Sequence, residues 1–144
     1  MITTPKRTEI INAIGALLAT ISSGNNYRTD FERIEYWRDT DAEYGYNHLS
    51  FRDTDSEFIE INRVHEVRLQ IRVGAIVYGE TAPELGDKAL ADLIEVFGSD
   101  TRLGGLVQNL QLIGDEKEVA TAGKRFCRVA LDLLIIYRLP RFTA

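Results

Sequence analysis

Residues 64–78 constrain the fold more than any other stretch. Val67, Leu69, Ile71, Val73, Ala75 and Val77 alternate with Glu66, Arg68, Gln70 and Arg72. A period of two predicts a long strand with one apolar face and a second face that is polar along its first half. Such a strand belongs to an antiparallel or mixed sheet covered on one side. Residues 125–139 repeat the pattern, with Cys127, Val129, Leu131, Leu133, Ile135 and Tyr137 on one face. There Leu134 and Ile136 lie on the opposite face, which points to a second cover near the strand's end, with another subunit as a candidate.

Two helices accompany these strands. Ile10, Ile14, Leu17, Leu18 and Ile21 recur at spacings of three and four, with Thr4 as expected N-cap and Pro5 at the first helical position. Thr81-Ala82-Pro83-Glu84 reads as a capping box ahead of a stripe made by Leu85, Ala89, Leu93, Ile94 and Phe97. Gly98-Ser99-Asp100 ends that helix. Further strands are expected over 58–61 and 106–113, with a strand or extended arm over 27–37 and a hairpin turn inside the polar stretch 114–123. Residues 38–57 carry six acids against two arginines and read as a loop or long hairpin arm. The expected fold is therefore α+β: one mixed, mostly antiparallel sheet packed by two main helices, with a long hairpin or loop arm. The 144 residues suit one domain, 1–144, large enough to bury a core without staples.

The chemistry-bearing residues are few. Cys127 is the only cysteine, so no intrachain disulfide forms, and it falls on an apolar strand face where a small buried residue is expected. His48 and His65 stand in no metal-ligand spacing, and Leu103-Gly104-Gly105-Leu106 lacks the lysine of a phosphate loop and reads as a turn. The pairs Asp39/Asp41 and Asp53/Asp55 are the most enzyme-like feature, because carboxylates two apart can share a divalent cation. The glycine and late glutamate of a calcium loop are missing, so a solvated acidic loop is the plainer reading. A net charge of −5 argues against a general nucleic-acid binder. No apolar run is long enough to span a membrane, and the N-terminus lacks a signal-peptide pattern, so a cytoplasmic site of synthesis and assembly is expected.

Charge and aromatic placement suggest contact surfaces instead. Residues 38–57 have a net charge of −4, while Lys124, Arg125, Arg128, Arg138 and Arg141 face only Asp132. An acidic middle and a basic end can meet head to tail between subunits and close into a ring. Tyr36, Trp37, Tyr44 and Tyr46 lie in a stretch poor in aliphatics, and aromatic residues often anchor interfaces. The candidate interface residues are thus Tyr36, Trp37, Asp39, Asp41, Tyr44, Tyr46, Asp53, Asp55, Arg125 and Arg138. No catalytic, cofactor or metal residue is expected.

The layout as a whole resembles the lambda-type tail-terminator family of tailed phages, also called minor tail or tail-completion proteins. The features that carry the resemblance are the N-terminal amphipathic helix, the Gly24-Asn25-Asn26-Tyr27 turn and the long strand running into the helix at 83–97. To these are added Asp100-Thr101-Arg102-Leu103-Gly104-Gly105-Leu106-Val107 and the closing strand through Leu134-Ile135-Ile136-Tyr137-Arg138. The acidic stretch from Asp39 to Glu57 departs from the family's pattern. The resemblance implies a non-enzymatic virion protein that forms a ring, usually a homohexamer, on the head-proximal end of the tail tube. It would stop tube polymerisation and dock the neck or head-completion protein and, in contractile tails, meet the sheath. DNA would pass through the lumen without specific binding. A neck or head-completion (connector) protein is the nearest alternative. A small metal-dependent hydrolase using Asp39, Asp41, Asp53 and Asp55, and a host α/β ligand-binding domain, stand further off.

Overall fold

The computed structural model describes residues 2–38 and 44–144. In chain order the elements are α1 (Lys6–Leu18), β1 (Arg33–Tyr36), β2 (His48–Ile61), β3 (Val64–Tyr78), α2 (Ala82–Gly98), β4 (Asn109–Ala122) and β5 (Lys124–Pro140). The five strands form one sheet in the order β1-β2-β3-β5-β4. β1 runs parallel to β2, and every other neighbouring pair is antiparallel. The fold is α+β, with a mixed sheet and two helices, as the alternation and the helical stripes predict.

Both helices cover the same face. β3 presents Val67, Leu69, Ile71, Val73, Ala75 and Val77 to them, and β5 presents Cys127, Val129, Leu131, Leu133, Ile135 and Tyr137. α1 lies over β2, where Gly15 meets the Phe51 ring and Arg7 reaches Asp53. α2 lies over β3 and β5. Gly86 on α2 makes the closest approach: a Cβ there would overlap the Cys127 sulfur and come within 3.1 Å of the Cys127 Cβ. Glycine lets helix and strand backbones close at this point. Ile10, Ile14 and Leu18 from α1 and Leu93, Val96 and Phe97 from α2 complete a single core.

Several boundaries differ from the sequence reading. Pro5, not Thr4, is the N-cap of α1, and no side chain caps the helix. The Pro5 carbonyl instead accepts from the Thr8 and Glu9 amides. The capping box at Thr81 does not form either; the Thr81 carbonyl takes the Glu84 and Leu85 amides. Ile94, expected on the buried stripe of α2, is 38% exposed, while Val96 and Asp92 are buried. Of residues 27–37 only Arg33–Tyr36 is strand.

The largest correction concerns residues 38–57. From His48 onward they are β2, which continues through Ile61 and absorbs the short strand expected at 58–61. Leu49 and Phe51 face the core while Arg52 and Thr54 face solvent, so half the strand carries loop-like composition. A bulge between Asp53 and Ser56 shifts the register and further blurs the alternation. Asp39 and Asp41 lie outside the described residues. The hairpin turn expected inside 114–123 falls at the last of those residues, and the rest are strand. β4 runs to Ala122, and the turn is reduced to Gly123 at φ 72°. β4 is an edge strand exposed along most of its length, which is why its sequence is polar. Asn62 and Arg63, both at positive φ, form the two-residue turn between β2 and β3.

Candidate functional site

The face of the sheet turned away from the helices carries the main surface feature. Ser50, Gly74 and Ala130 pair across β2, β3 and β5 in one row. Three small side chains side by side leave a shallow floor. His48, Ile76 and Arg128 form the row on one side, and Arg52, Arg72 and Asp132 the row on the other. Of these rows, Arg52, Arg72, Ile76 and Arg128 border a trough of about 520 Å³ that reaches Trp37 and Arg38 at its β1 end. It continues past Arg72, Arg128 and Ala130 into a second hollow of about 430 Å³ lined by Glu116 and Glu118 of β4.

Charge is sorted along this trough. Arg72 donates to both Asp132 oxygens at 3.1 and 3.2 Å and to Glu116 at 2.6 Å. Arg128 donates to Glu118 at 3.5 Å. At the opposite end, Arg52 lies over the Trp37 ring at 5.8 Å and has no carboxylate partner among the described residues. Arg38 donates to His48 Nε2 at 2.9 Å, while its Nε and second terminal nitrogen are buried without an acceptor among the described residues. His48 is 1% exposed. Because Nε2 accepts from Arg38, Nδ1 carries the proton and donates to the Tyr46 carbonyl at 3.1 Å. Among the described residues, exposed Arg52 therefore stands toward the β1–β2 side of the trough, and exposed Glu116 and Glu118 stand on β4 beside Arg72 and Arg128.

The sequence-selected residues divide into two groups. Tyr36 and Trp37 both bond Asp53 within the chain while staying 46% and 48% exposed. Asp53 is 8% exposed. It accepts from the Tyr36 hydroxyl, from the Trp37 indole at 2.8 Å and from Arg7 Nε at 2.6 Å. Burial works against its ionised form, but the three donors outweigh burial and hold the carboxyl below its ordinary range. With its oxygens so engaged, Asp53 tethers α1 and β1 to β2 and is not a free interface carboxylate or an open metal ligand. Tyr44 and Tyr46 also turn inward on their own chain. Their rings stack at 5.2 Å, Tyr44 donates to Glu35 at 2.5 Å, and Arg38 lies 4.6 Å over the Tyr44 ring.

The second group stays on the surface. Asp55 is exposed on β2. Arg125 is exposed beside the β4–β5 turn and donates to the Glu80 carbonyl at 3.0 Å. Arg138 is exposed near the far end of β5 and reaches Glu66 at 3.4 Å. Burial pushes the Cys127 thiol up, which keeps it protonated and unreactive.

Sequence reasoning missed two buried polar residues. Asp92 is fully buried on α2 and takes the backbone amides of Arg28 and Thr29, the Thr29 hydroxyl at 2.6 Å and the Arg28 guanidinium at 3.0 Å. It thereby pins the segment after α1 to α2. A signal existed: residue 92 falls between Ala89 and Val96 on the apolar stripe, where a carboxylate must have partners. His48 gave no such signal, since its neighbours in sequence read as loop. Among the described residues no group of three or more acidic, histidine or cysteine side chains is placed to hold a metal ion. No helix among them is long and apolar enough to cross a membrane. Compared with known protein families and with characterised proteins, the chain matches none.

Proposed function

We propose that this chain is a structural subunit of a tailed-phage virion, a tail terminator that caps the head-proximal end of the tail tube as a ring. One observation carries the reading. The sheet has helices on one face only, and its other face holds a charged trough together with half-buried Leu134 and Ile136. A solvent face of a monomer has no need of apolar side chains toward the end of a central strand, whereas a face that meets other subunits does. The layout supports the same reading, because the helix, the turn at Ser23–Asn25, the long strand running into α2, the Leu103–Gly105 turn and the closing strand follow in the order on which the family resemblance rests.

In this reading, assembly and not catalysis is the activity. The subunit joins its copies through the edges and open face of the sheet. The β2–β3 hairpin tip reaches along the axis toward the tube. Its exposed Phe58 lies against His65, which in turn lies against the 80% exposed Phe142. Aromatic groups clustered at a tip suit an anchor on a partner. The net negative charge of the chain suits a passage through which DNA slides without sticking.

The test is direct. The purified protein is added to tail-tube protein polymerising from the same phage, and tube lengths and ends are read by electron microscopy. Tubes that stop growing and carry a ring at one end are expected. Tubes that grow on unaffected, with no added density at either end, would remove the terminator reading.

A further inference from the structure

β4 has β5 on one side and, among the described residues, no strand on the other. Its outer row of amides and carbonyls is therefore open along a strand of 14 residues. The register with β5 sorts its side chains. Leu112, Asp115, Lys117 and Val119 stand on the helix side, opposite Leu133, Leu131, Val129 and Cys127, while Glu116 and Glu118 stand on the open face, opposite Ala130 and Arg128. The helix cover stops short of this edge. Leu112 is 49% exposed, Val119 39%, and Ile113, in the bulge, 55%. Ile94 of α2 adds to this apolar shelf: it lies seven residues after Asp87, on the same side of the helix, and Asp87 accepts from Lys117 of β4 at 2.7 Å. On the other face the Glu116 and Glu118 side chains remain 70% and 64% exposed despite their links to Arg72 and Arg128. Residues 115–118 thus hold three carboxylates against one lysine, which Asp87 already engages.

We propose that β4 is a docking edge for an extended segment of a partner protein in which basic residues alternate with apolar ones. Added beside β4, that segment completes the outer ladder with its backbone. Its basic side chains fall next to Glu116 and Glu118 on the open face, and its apolar ones, on the opposite face, cover Val119 and the shelf at Leu112 and Ile113. The backbone supplies affinity and the alternation supplies choice. No strand of a second copy has this pattern. Pairing β4 with β4 antiparallel about Lys117 sets Glu116 beside Glu118 of the other copy, and moving the centre by one residue sets Glu116 or Glu118 against itself; like charges directly opposite are destabilising. β1, the other edge, is four residues long and brings one arginine and one glutamate, Arg33 and Glu35, to its open face. The same carboxylates guard the edge against acidic strands, and the bulge between Leu112 and Gly114 confines continuous pairing to residues 114–122. The proposal needs neither a ring nor a virion and stands apart from that reading.

The probe is a synthetic peptide of alternating lysine and valine with blocked ends, titrated into the full chain. Binding is read by calorimetry, and its place by hydrogen exchange of the protein's amides. Two control peptides separate the contributions. One alternates glutamate and valine. The other keeps lysine and valine but is N-methylated at every amide, so it retains the charge and loses the donors of a strand. The lysine–valine peptide binds and slows exchange within residues 114–122, and both controls bind at least about tenfold more weakly. Glu118→Lys changes an exposed side chain, and circular dichroism confirms that the variant folds. It loses about tenfold in affinity for the lysine–valine peptide and gains for the glutamate–valine one. Equal binding of the N-methylated peptide reduces the contact to charge attraction and overturns strand addition. Protection confined to other elements, a Glu118→Lys variant indifferent to both peptides, or no binding up to about 1 mM lysine–valine peptide overturns the docking edge itself.

Discussion

Three donors, one from α1 and two from the end of β1, converge on the Asp53 carboxylate, and its response to pH follows from them. Its folded-state pKa lies below the unfolded value, so the stability it contributes is present above the ordinary carboxylate range. That stability disappears as pH falls through the lower, folded value. Urea unfolding of the wild type should therefore weaken on acidification below about pH 4. Asp53→Asn should cost about 1–3 kcal/mol at pH 7 and flatten that part of the profile. Gly86 gives the second prediction at this scale. Alanine is the better helix former by about 1 kcal/mol. Here its methyl would overlap the Cys127 sulfur, so Gly86→Ala should instead destabilise by about 1–3 kcal/mol. Adding Cys127→Ala should recover part of the loss in thermal denaturation. The burial of Cys127 was legible from its strand face. The role of Asp53 was not, because Arg7, Tyr36 and Trp37 reach it from elements that no local pattern brings together.

Among the elements, those with a clean period were read well and those at edges poorly. β3 runs over the residues its alternation predicts. β2 and β4 were obscured because solvent-facing positions and a bulge in each strand break the alternation of apolar residues. Turn chemistry can be tested at the β2–β3 hairpin. Asn62 and Arg63 sit at φ 48° and 66°, in the left-handed region that favours glycine. Arg63→Gly should raise the unfolding free energy by about 1 kcal/mol, measured in urea, since Asn-Gly suits this two-residue turn. The segment between α1 and β1 has little regular structure and depends on Asp92. Asp92→Ala should expose 22–32 to limited proteolysis before the rest of the chain and lower stability by about 3–5 kcal/mol.

For the molecule as a whole, the α+β class and the count of two main helices followed from patterning alone, whereas the surfaces did not. The sequence placed its acidic contact arm at 38–57 and its basic partner at the C-terminal end. In the fold, Glu116 and Glu118 stand exposed on the β4 edge. Only pairing order reveals this, because it decides which charged positions end up at an edge. Assembly governed by exposed charge should weaken with salt: raising ionic strength from about 0.05 to 0.5 M should reduce wild-type association in sedimentation, while the folded monomer's thermal stability changes little.

The central pairing of β3 with β5 also bears on how the chain reaches its native state. The flanking pairs are hairpins of adjacent strands, closed by Asn62-Arg63 and by Gly123. The pair between them joins Val64 to Pro140 and Tyr78 to Phe126, with α2 and β4 intervening. Two locally formed ribbons must therefore find each other along a seam of high contact order, and that encounter sets the folding rate. Truncations along the seam, such as Leu69→Ala and Leu133→Ala, should slow refolding in stopped-flow measurements, whereas Val119→Ala at the free edge should act mainly on unfolding.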